Sequence, residues 1–180
     1  MSIDLGPRLG DGDRDTLNHV LSLDLKGEAA EFGVATGTTL TLIAARMFVT
    51  GFDSFDGLPE DWRDGYPAGA FRCSPPGPVP NSTLVVGLFS DTLPLWVPTV
   101  EHPLGLVHID CDLYSSTVTV LDNVYPLLDA GTVIVFDEFH GYDGCEHHEQ
   151  RAWAEFLAAH PDLDVEPVGH SREQYAVRVL

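Results

Sequence analysis

Short apolar runs alternate with longer amphipathic ones along most of this chain, and that alternation limits the fold more than any other feature. Seven runs read as strands, near residues 28–33, 49–53, 84–88, 104–110, 131–137, 163–168 and 174–179. Amphipathic stretches fall between them. The clearest covers 115–129, where Val118, Leu121, Val124, Tyr125 and Leu128 recur at helical spacing and Gly131 follows as a stop. Others are expected at 146–159, 12–23 and 38–48. Strand and helix in regular succession predict βα units around a mostly parallel sheet, an α/β fold. The 180 residues suit a single domain over 1–180.

One segment breaks the rhythm. Residues 57–80 hold six Pro and four Gly in 24 positions, which leaves no room for a regular helix. A long Pro/Gly-rich loop is expected over 57–83, and loops of that length in compact domains tend to be functional. Trp62, Tyr66 and Phe71 suggest that it folds back on something.

Charge excludes several partners. Nine Lys and Arg stand against 28 Asp and Glu, a net charge of −19, and no basic cluster exists. A nucleic-acid backbone or an anionic membrane surface would be repelled. No apolar run is long enough to span a bilayer and the first residues are polar and acidic, so a cytoplasmic location is expected. Three cysteines without CxxC spacing read as free thiols.

The chemistry gathers where strands end. The first strand runs into Gly33-Val34-Ala35-Thr36-Gly37-Thr38, two glycines spaced by four at a strand-to-helix turn, where small residues let a ligand approach free backbone N–H groups. The G-x-G-x-x-G fingerprint is absent, which disfavours NAD. Asp53 and Ser54 follow the second strand, and an acid there can accept hydrogen bonds from ribose hydroxyls. An adenosyl ligand without a pyrophosphate is the economical choice. After the fourth and fifth strands come Asp110 and Asp112, then Asp137, Glu138 and His140. Asp110, Asp137 and Glu138 should converge in one crevice. Such acids repel one another unless a hard divalent cation, Mg²⁺ first, or a shared proton sits between them. The Cys145-Glu146-His147-His148 stretch invites a zinc reading, but adjacent helical residues point about 100° apart, and solvation of a helix start explains it better.

Four segments in order, Ala30–Val34, Phe52–Pro59, Gly87–Pro94 and His108–Thr117, make the chain similar to the macrocin O-methyltransferase family over about residues 27–180. The resemblance implies a Rossmann-like class I methyltransferase fold, a seven-stranded, mostly parallel sheet with an antiparallel last strand. It implies S-adenosylmethionine (SAM) as cofactor: Glu31, Gly33 and Gly37 at the methionine end, Asp53 on the ribose, Phe89 and Ser90 beside the adenine, with Thr38, Ser54 and Asp110 completing the contacts. It also implies Mg²⁺ on Asp110, Asp137 and Glu138, where the family often has two aspartates instead of Asp137-Glu138. The expected reaction is transfer of a methyl group to a hydroxyl of a small molecule such as a sugar or natural product. His140 and Asp112 are the candidate bases, and His148 a remoter one. A helix usual after the second strand is replaced by the Pro-rich loop. The family commonly forms homo-oligomers, and a free edge strand near the C-terminus would offer a surface for it. A metal-dependent hydrolase, or a SAM-fold module without chemistry, is the alternative.

Overall fold

The computed structural model describes residues 3–180. Eight strands form one sheet: β1 (Arg8–Gly10), β2 (Ala29–Phe32), β3 (Val49–Asp53), β4 (Ser82–Val86), β5 (Leu106–Ile109), β6 (Val133–Phe136), β7 (Val165–Ser171) and β8 (Gln174–Val179). Five helices accompany them: α1 (Asp15–Val20), α2 (Thr38–Ala44), α3 (Phe89–Trp96), α4 (Tyr114–Val124) and α5 (Glu149–Ala159). The order across the sheet is β1-β7-β8-β6-β5-β2-β3-β4. Only β8 runs against its neighbours, β6 and β7.

The central strands are short because each is buried on both faces. Every residue of β2, β5 and β6 is buried. Alternate side chains serve opposite sides, as the period of two requires. Phe32, Ile109 and Phe136 pack with Leu93, Val120 and Trp153 from α3, α4 and α5. Ala29, Leu106 and Val135 pack with Leu17, Val20, Leu40 and Ile43 from α1 and α2. The strand order reverses at the β2–β5 seam, and the crevice of an open parallel sheet lies at such a switch point.

Three expectations are corrected. The sheet has eight strands, not seven, because Arg8–Gly10 pairs parallel with β7 through Arg8–His170 and Gly10–Ser171. The C-terminal strands therefore leave no free edge beside that stretch, and β8 itself is interior. The edge at the other end is β4. The helices are shorter than their periodic sequence: 12–23 yields 15–20, 38–48 yields 38–44, and 115–129 ends in a 3₁₀ turn over Tyr125–Leu127, where Pro126 removes a backbone donor.

No helix or strand forms between Asp53 and Ser82. The Pro-rich loop is instead tied to itself by Leu58 N–H to Ala70 O (2.9 Å), Gly69 N–H to Leu58 O (2.8 Å) and Trp62 N–H to Tyr66 O (3.0 Å). Leu58 and Trp62 pack on Leu113, with Tyr66 and Tyr142 alongside. The Arg63 guanidinium lies 4.0 Å from the Trp62 ring centre and 4.3 Å from that of Tyr142, and it bonds Glu173 at 3.1 Å. Cation–π contacts and a half-buried ion pair thus pin the loop over the ends of the strands.

Gly33 sets the seam. Its φ is +98°, and a Cβ there would stand 1.6 Å from the Asp110 carbonyl oxygen. Gly33→Ala is expected to abolish cooperative folding or lower Tm by roughly 10 °C or more, since backbone rather than a side chain must give way. Gly77→Ala, with open space around its Cβ, should melt like the parent protein in the same circular dichroism measurement.

Candidate active site

A cavity of about 460 Å³ opens beside the ends of the central strands, lined among others by Gly33, Asp53, Ser54, Phe89, Ser90, Asp110, Asp112 and Glu138. Of the residues expected to contact a cofactor, Glu31, Gly37 and Thr38 do not line it. Neither Asp137 nor His140 does. Cys111 lines it too, but burial pushes its thiol well above the ordinary range, so it offers no thiolate.

Asp53 ends β3 and organises the glycine turn. Its Oδ2 accepts the N–H groups of Val34 and Ala35, both at 2.8 Å, and its Oδ1 accepts that of Phe55 at 2.7 Å. Ala35 (φ +43°) and Phe55 (φ +60°) both have left-handed backbone. Such conformers persist where surrounding bonds over-determine them, and the carboxylate supplies those bonds. A carboxylate has about four lone-pair sites, so Asp53 retains one for a ligand.

Behind the cavity lies a buried charged row that sequence reading did not pick out. Glu31 of β2 and His108 of β5 are register partners, fully buried, with Oε1 and Nδ1 3.1 Å apart. The Nε2 of His108 lies 3.4 Å from Asp137 Oδ1, which also accepts a hydrogen bond from the Gln174 side chain. Desolvation opposes charging of His108, yet its hydrogen bonding to the Asp137 and Glu31 carboxylates, and their charge, win and hold its imidazole well above the usual 6.5. Asp137 is burdened first by burial, but its bonds to His108 and Gln174 hold it below the usual 3.8. The legible signal was a His and a Glu inside two all-apolar strands, positions that ionisable residues rarely occupy unless paired.

The acids facing the cavity lack such partners. Carboxylate oxygens of Asp110, Asp112 and Glu138 lie within 4.8 Å of one another, while Asp137 groups with His108 and Asp110. Asp137 turns toward His108 and Gln174 while its carboxylate stays within hydrogen-bond reach of Glu138. Asp112 joins because its backbone is left-handed, φ +63°, a conformation that aspartate tolerates better than most residues. Burial first, then neighbouring carboxylates, push Asp110 and Glu138 well above the ordinary carboxylate range. Burial raises Asp112 to about 7 against a hydrogen bond from Glu138. Glu138 Oε2 is buried with no hydrogen-bond partner. Without a cation, protons hold this group together. Its donors are all oxygens, three carboxylates with one buried oxygen unfilled, which suits a hard divalent ion such as Mg²⁺.

Glu149, at the start of α5, is fully buried and accepts the Glu138 N–H through Oε2 at 3.2 Å, fixing the segment that carries Glu138. His140 is half-buried, with Nε2 3.2 Å from the Gln174 carbonyl oxygen and its ring 5.2 Å from that of His170. His148 lies edge-on to Trp62, also away from the cavity. Among the candidate bases, Asp112 is the one the structure brings to the cavity wall.

The sequence model described as macrocin O-methyltransferase (TylF) matches residues 80–165, which carry α3, β5, the acid segments and α5. The chain resembles the macrocin O-methyltransferases. Its fold is that of solved methyltransferase structures. Among solved structures, the calicheamicin methyltransferase CalS11 superposes with a TM-score of 0.72 at 22% identity, covering 91% of this chain and 77% of that one. The O-methyltransferase NovP gives 0.66 at 23%, covering 92% and 77%. An O-methyltransferase from Bacillus cereus in complex with SAH gives 0.55 at 16%, covering 85% and 73%. None of the curated proteins matches the sequence. Among the described residues, no helix is long and apolar enough to cross a membrane.

A carboxyl whose folded-state pKa is raised holds more protons folded than unfolded between the two values, so stability falls as pH rises through that interval. For Asp112 the interval runs from 3.8 to about 7. The contribution of His108 is complete below 6.5 and is lost as pH climbs through its raised value, which has the same sign. Metal-free protein should therefore melt on the order of 5–10 °C lower at pH 8 than at pH 5 by scanning calorimetry. Equal or higher Tm at pH 8 would contradict the arrangement of acids.

Proposed function

We propose that this protein is a Mg²⁺-assisted, SAM-dependent O-methyltransferase that modifies a hydroxyl of a sugar or related natural product. The observation that carries the reading is a single cavity joining the glycine turn and Asp53 to the three clustered acids. An adenosyl donor and an acceptor hydroxyl need to meet in such a space. When bound, SAM supplies an electrophilic methyl on a sulfonium, and Mg²⁺ supplies a Lewis acid that acidifies and orients a hydroxyl.

The chain's own residues do the rest. Gly33 leaves the donor space to approach the backbone, and Asp53 keeps Val34 and Ala35 in the shape that offers it. Phe89 and Ser90, at the start of α3, line the same cavity. Asp110, Asp112 and Glu138 would hold the cation. A carboxylate has two oxygens, so Asp112 can lend one to that group and take the acceptor's proton on the other. The Pro-rich loop, through Leu58, Pro59 and Phe71, covers part of the cavity and helps exclude water.

Calorimetry tests the donor half. S-adenosylhomocysteine should bind in the micromolar range without metal, about −8 kcal/mol. Asp53→Ala should weaken it about tenfold or more, because three backbone N–H groups lose their acceptor. Absence of binding to the parent protein would end the methyltransferase reading and leave the hydrolase.

A second measurement addresses the cation. Mg²⁺ at pH 8 is expected to raise Tm by several degrees by binding the folded state. Asp112→Asn and Glu138→Gln should lose that rise while keeping S-adenosylhomocysteine affinity within about threefold, as sites without shared partners behave nearly independently. An undiminished Mg²⁺ effect in both variants would refute the assignment of these ligands.

A further inference from the structure

Buried polar groups form a continuous row from the first turn of α1 to the acids at the cavity. Thr16 is fully buried, its N–H donates to Ser171 Oγ at 3.0 Å, and the two hydroxyls share a bond of 2.7 Å. The next N–H, that of Leu17, donates to Gln174 Oε1 at 3.2 Å. Gln174 Nε2 donates to Asp137 Oδ1, and His108 Nε2 lies 3.4 Å from that same oxygen. Ser171 and Gln174 face each other across the hairpin that joins β7 to β8. One short turn therefore fastens α1 on one side and Asp137 on the other.

The orientation of the Gln174 amide follows from its two neighbours. N–H groups in the first turn of a helix have no carbonyl within the helix to bond, so Leu17 needs an outside acceptor and the amide oxygen supplies it. The nitrogen is thereby left facing Asp137 with protons to give. At 1% exposure the side chain has no water to fall back on, and both bonds have to be met inside the protein. An amide suits this place where a charged side chain would not: an ionised carboxylate has no proton for Asp137, and Lys or Arg has no acceptor for Leu17.

Asp137 does not line the cavity. It lies within hydrogen-bond reach of Glu138 and groups with Asp110, and both of those acids do line it. With Gln174 and His108 both on Oδ1, the carboxylate of Asp137 is held at a fixed angle behind them. A carboxylate supported by one partner instead of two could turn, and Glu138 would lose a neighbour that sets where its own oxygens stand.

We propose that Gln174 is a positioning residue of the active site: its amide, oriented by the Leu17 N–H, holds Asp137 so that Glu138 and Asp110 keep the spacing a divalent cation requires. This rests on the Mg²⁺ reading of the acids. Gln174 does not line the cavity, so it acts only through Asp137, and the docking of α1 becomes part of what shapes the site.

The test measures Mg²⁺ affinity by calorimetry on the whole protein with S-adenosylhomocysteine bound. Gln174→Met keeps the length of the side chain and loses both bonds. Gln174→Asn keeps an amide but, one methylene short, cannot reach both partners. Ser171→Ala takes the acceptor from the Thr16 N–H at the same hairpin and leaves the surroundings of Asp137 alone. All three should lower Tm by several degrees, because each leaves a buried N–H without its partner. The two Gln174 variants should also weaken Mg²⁺ about tenfold, the usual scale for a group that orients metal-binding carboxylates from behind. Their affinity for S-adenosylhomocysteine should stay within about threefold of the parent, and Ser171→Ala should bind Mg²⁺ as the parent does. In a protein already carrying Asp137→Ala, Gln174→Met should bring less than about a further twofold loss, since its effect passes through the missing carboxylate. Parent-like Mg²⁺ affinity in a folded Gln174 variant, an equal loss in Ser171→Ala, or a full tenfold loss on top of Asp137→Ala overturns the proposal. A parent protein that takes up no Mg²⁺ overturns the cation reading, and this inference with it.

Discussion

The two central strands can end side by side because nothing stands on Gly33. Its alpha carbon lies against the Asp110 carbonyl, and the Asp110 N–H reaches back to Phe32 O at 2.9 Å. That close pairing carries the β2–β5 seam through to the strand ends, so the glycine turn and the first acid leave the sheet together. Asp53 then bonds the turn from the other side, and the cavity takes its shape from three strand ends rather than from any one loop. Preorganisation of this kind costs the backbone strain visible at Ala35, Phe55 and Asp112.

Charge is layered across this seam. Inside the sheet, His108 stands between Glu31 and Asp137, and the row largely neutralises itself. Such buried groups are tolerable only when paired, because an isolated ion in a low-dielectric interior carries a large desolvation cost. Toward the cavity the balance is lost: Asp110, Asp112 and Glu138 meet with no cationic side chain among them, and protons make up the difference. Glu149, a fourth acid behind them, is raised by the same burial and the same neighbours.

Much of the fold was legible because parallel strands buried on both faces appear as unbroken apolar runs, such as Leu106-Val107 before His108 and Val133–Phe136. The eighth strand was not, since Arg8-Leu9-Gly10 is too short for a periodic signal and exists only through its pairing with β7. The acids at the strand ends were legible as residues but not as a set. Asp137 and Glu138 stay in contact through their side chains, each grouped with Asp110, and the left-handed turn at Asp112 brings in a further acid that strand-end position alone did not reveal. His140 read as a base by its neighbours in sequence, and its tertiary bond to the Gln174 carbonyl holds it elsewhere.

The Pro-rich loop shows how an irregular segment can be well specified without secondary structure. Proline and glycine deny it a helix, so its order has to come from side chains, and Trp62, Arg63 and Tyr142 supply a stacked cluster fastened to Glu173 just before β8. Arg63 is therefore spent on architecture. With Arg63 held there, the side chains that line the cavity include four carboxylates and no Lys, Arg or His. What the loop leaves facing inward is an apolar patch at Leu58, Pro59 and Phe71 beside the hydroxyls of α4.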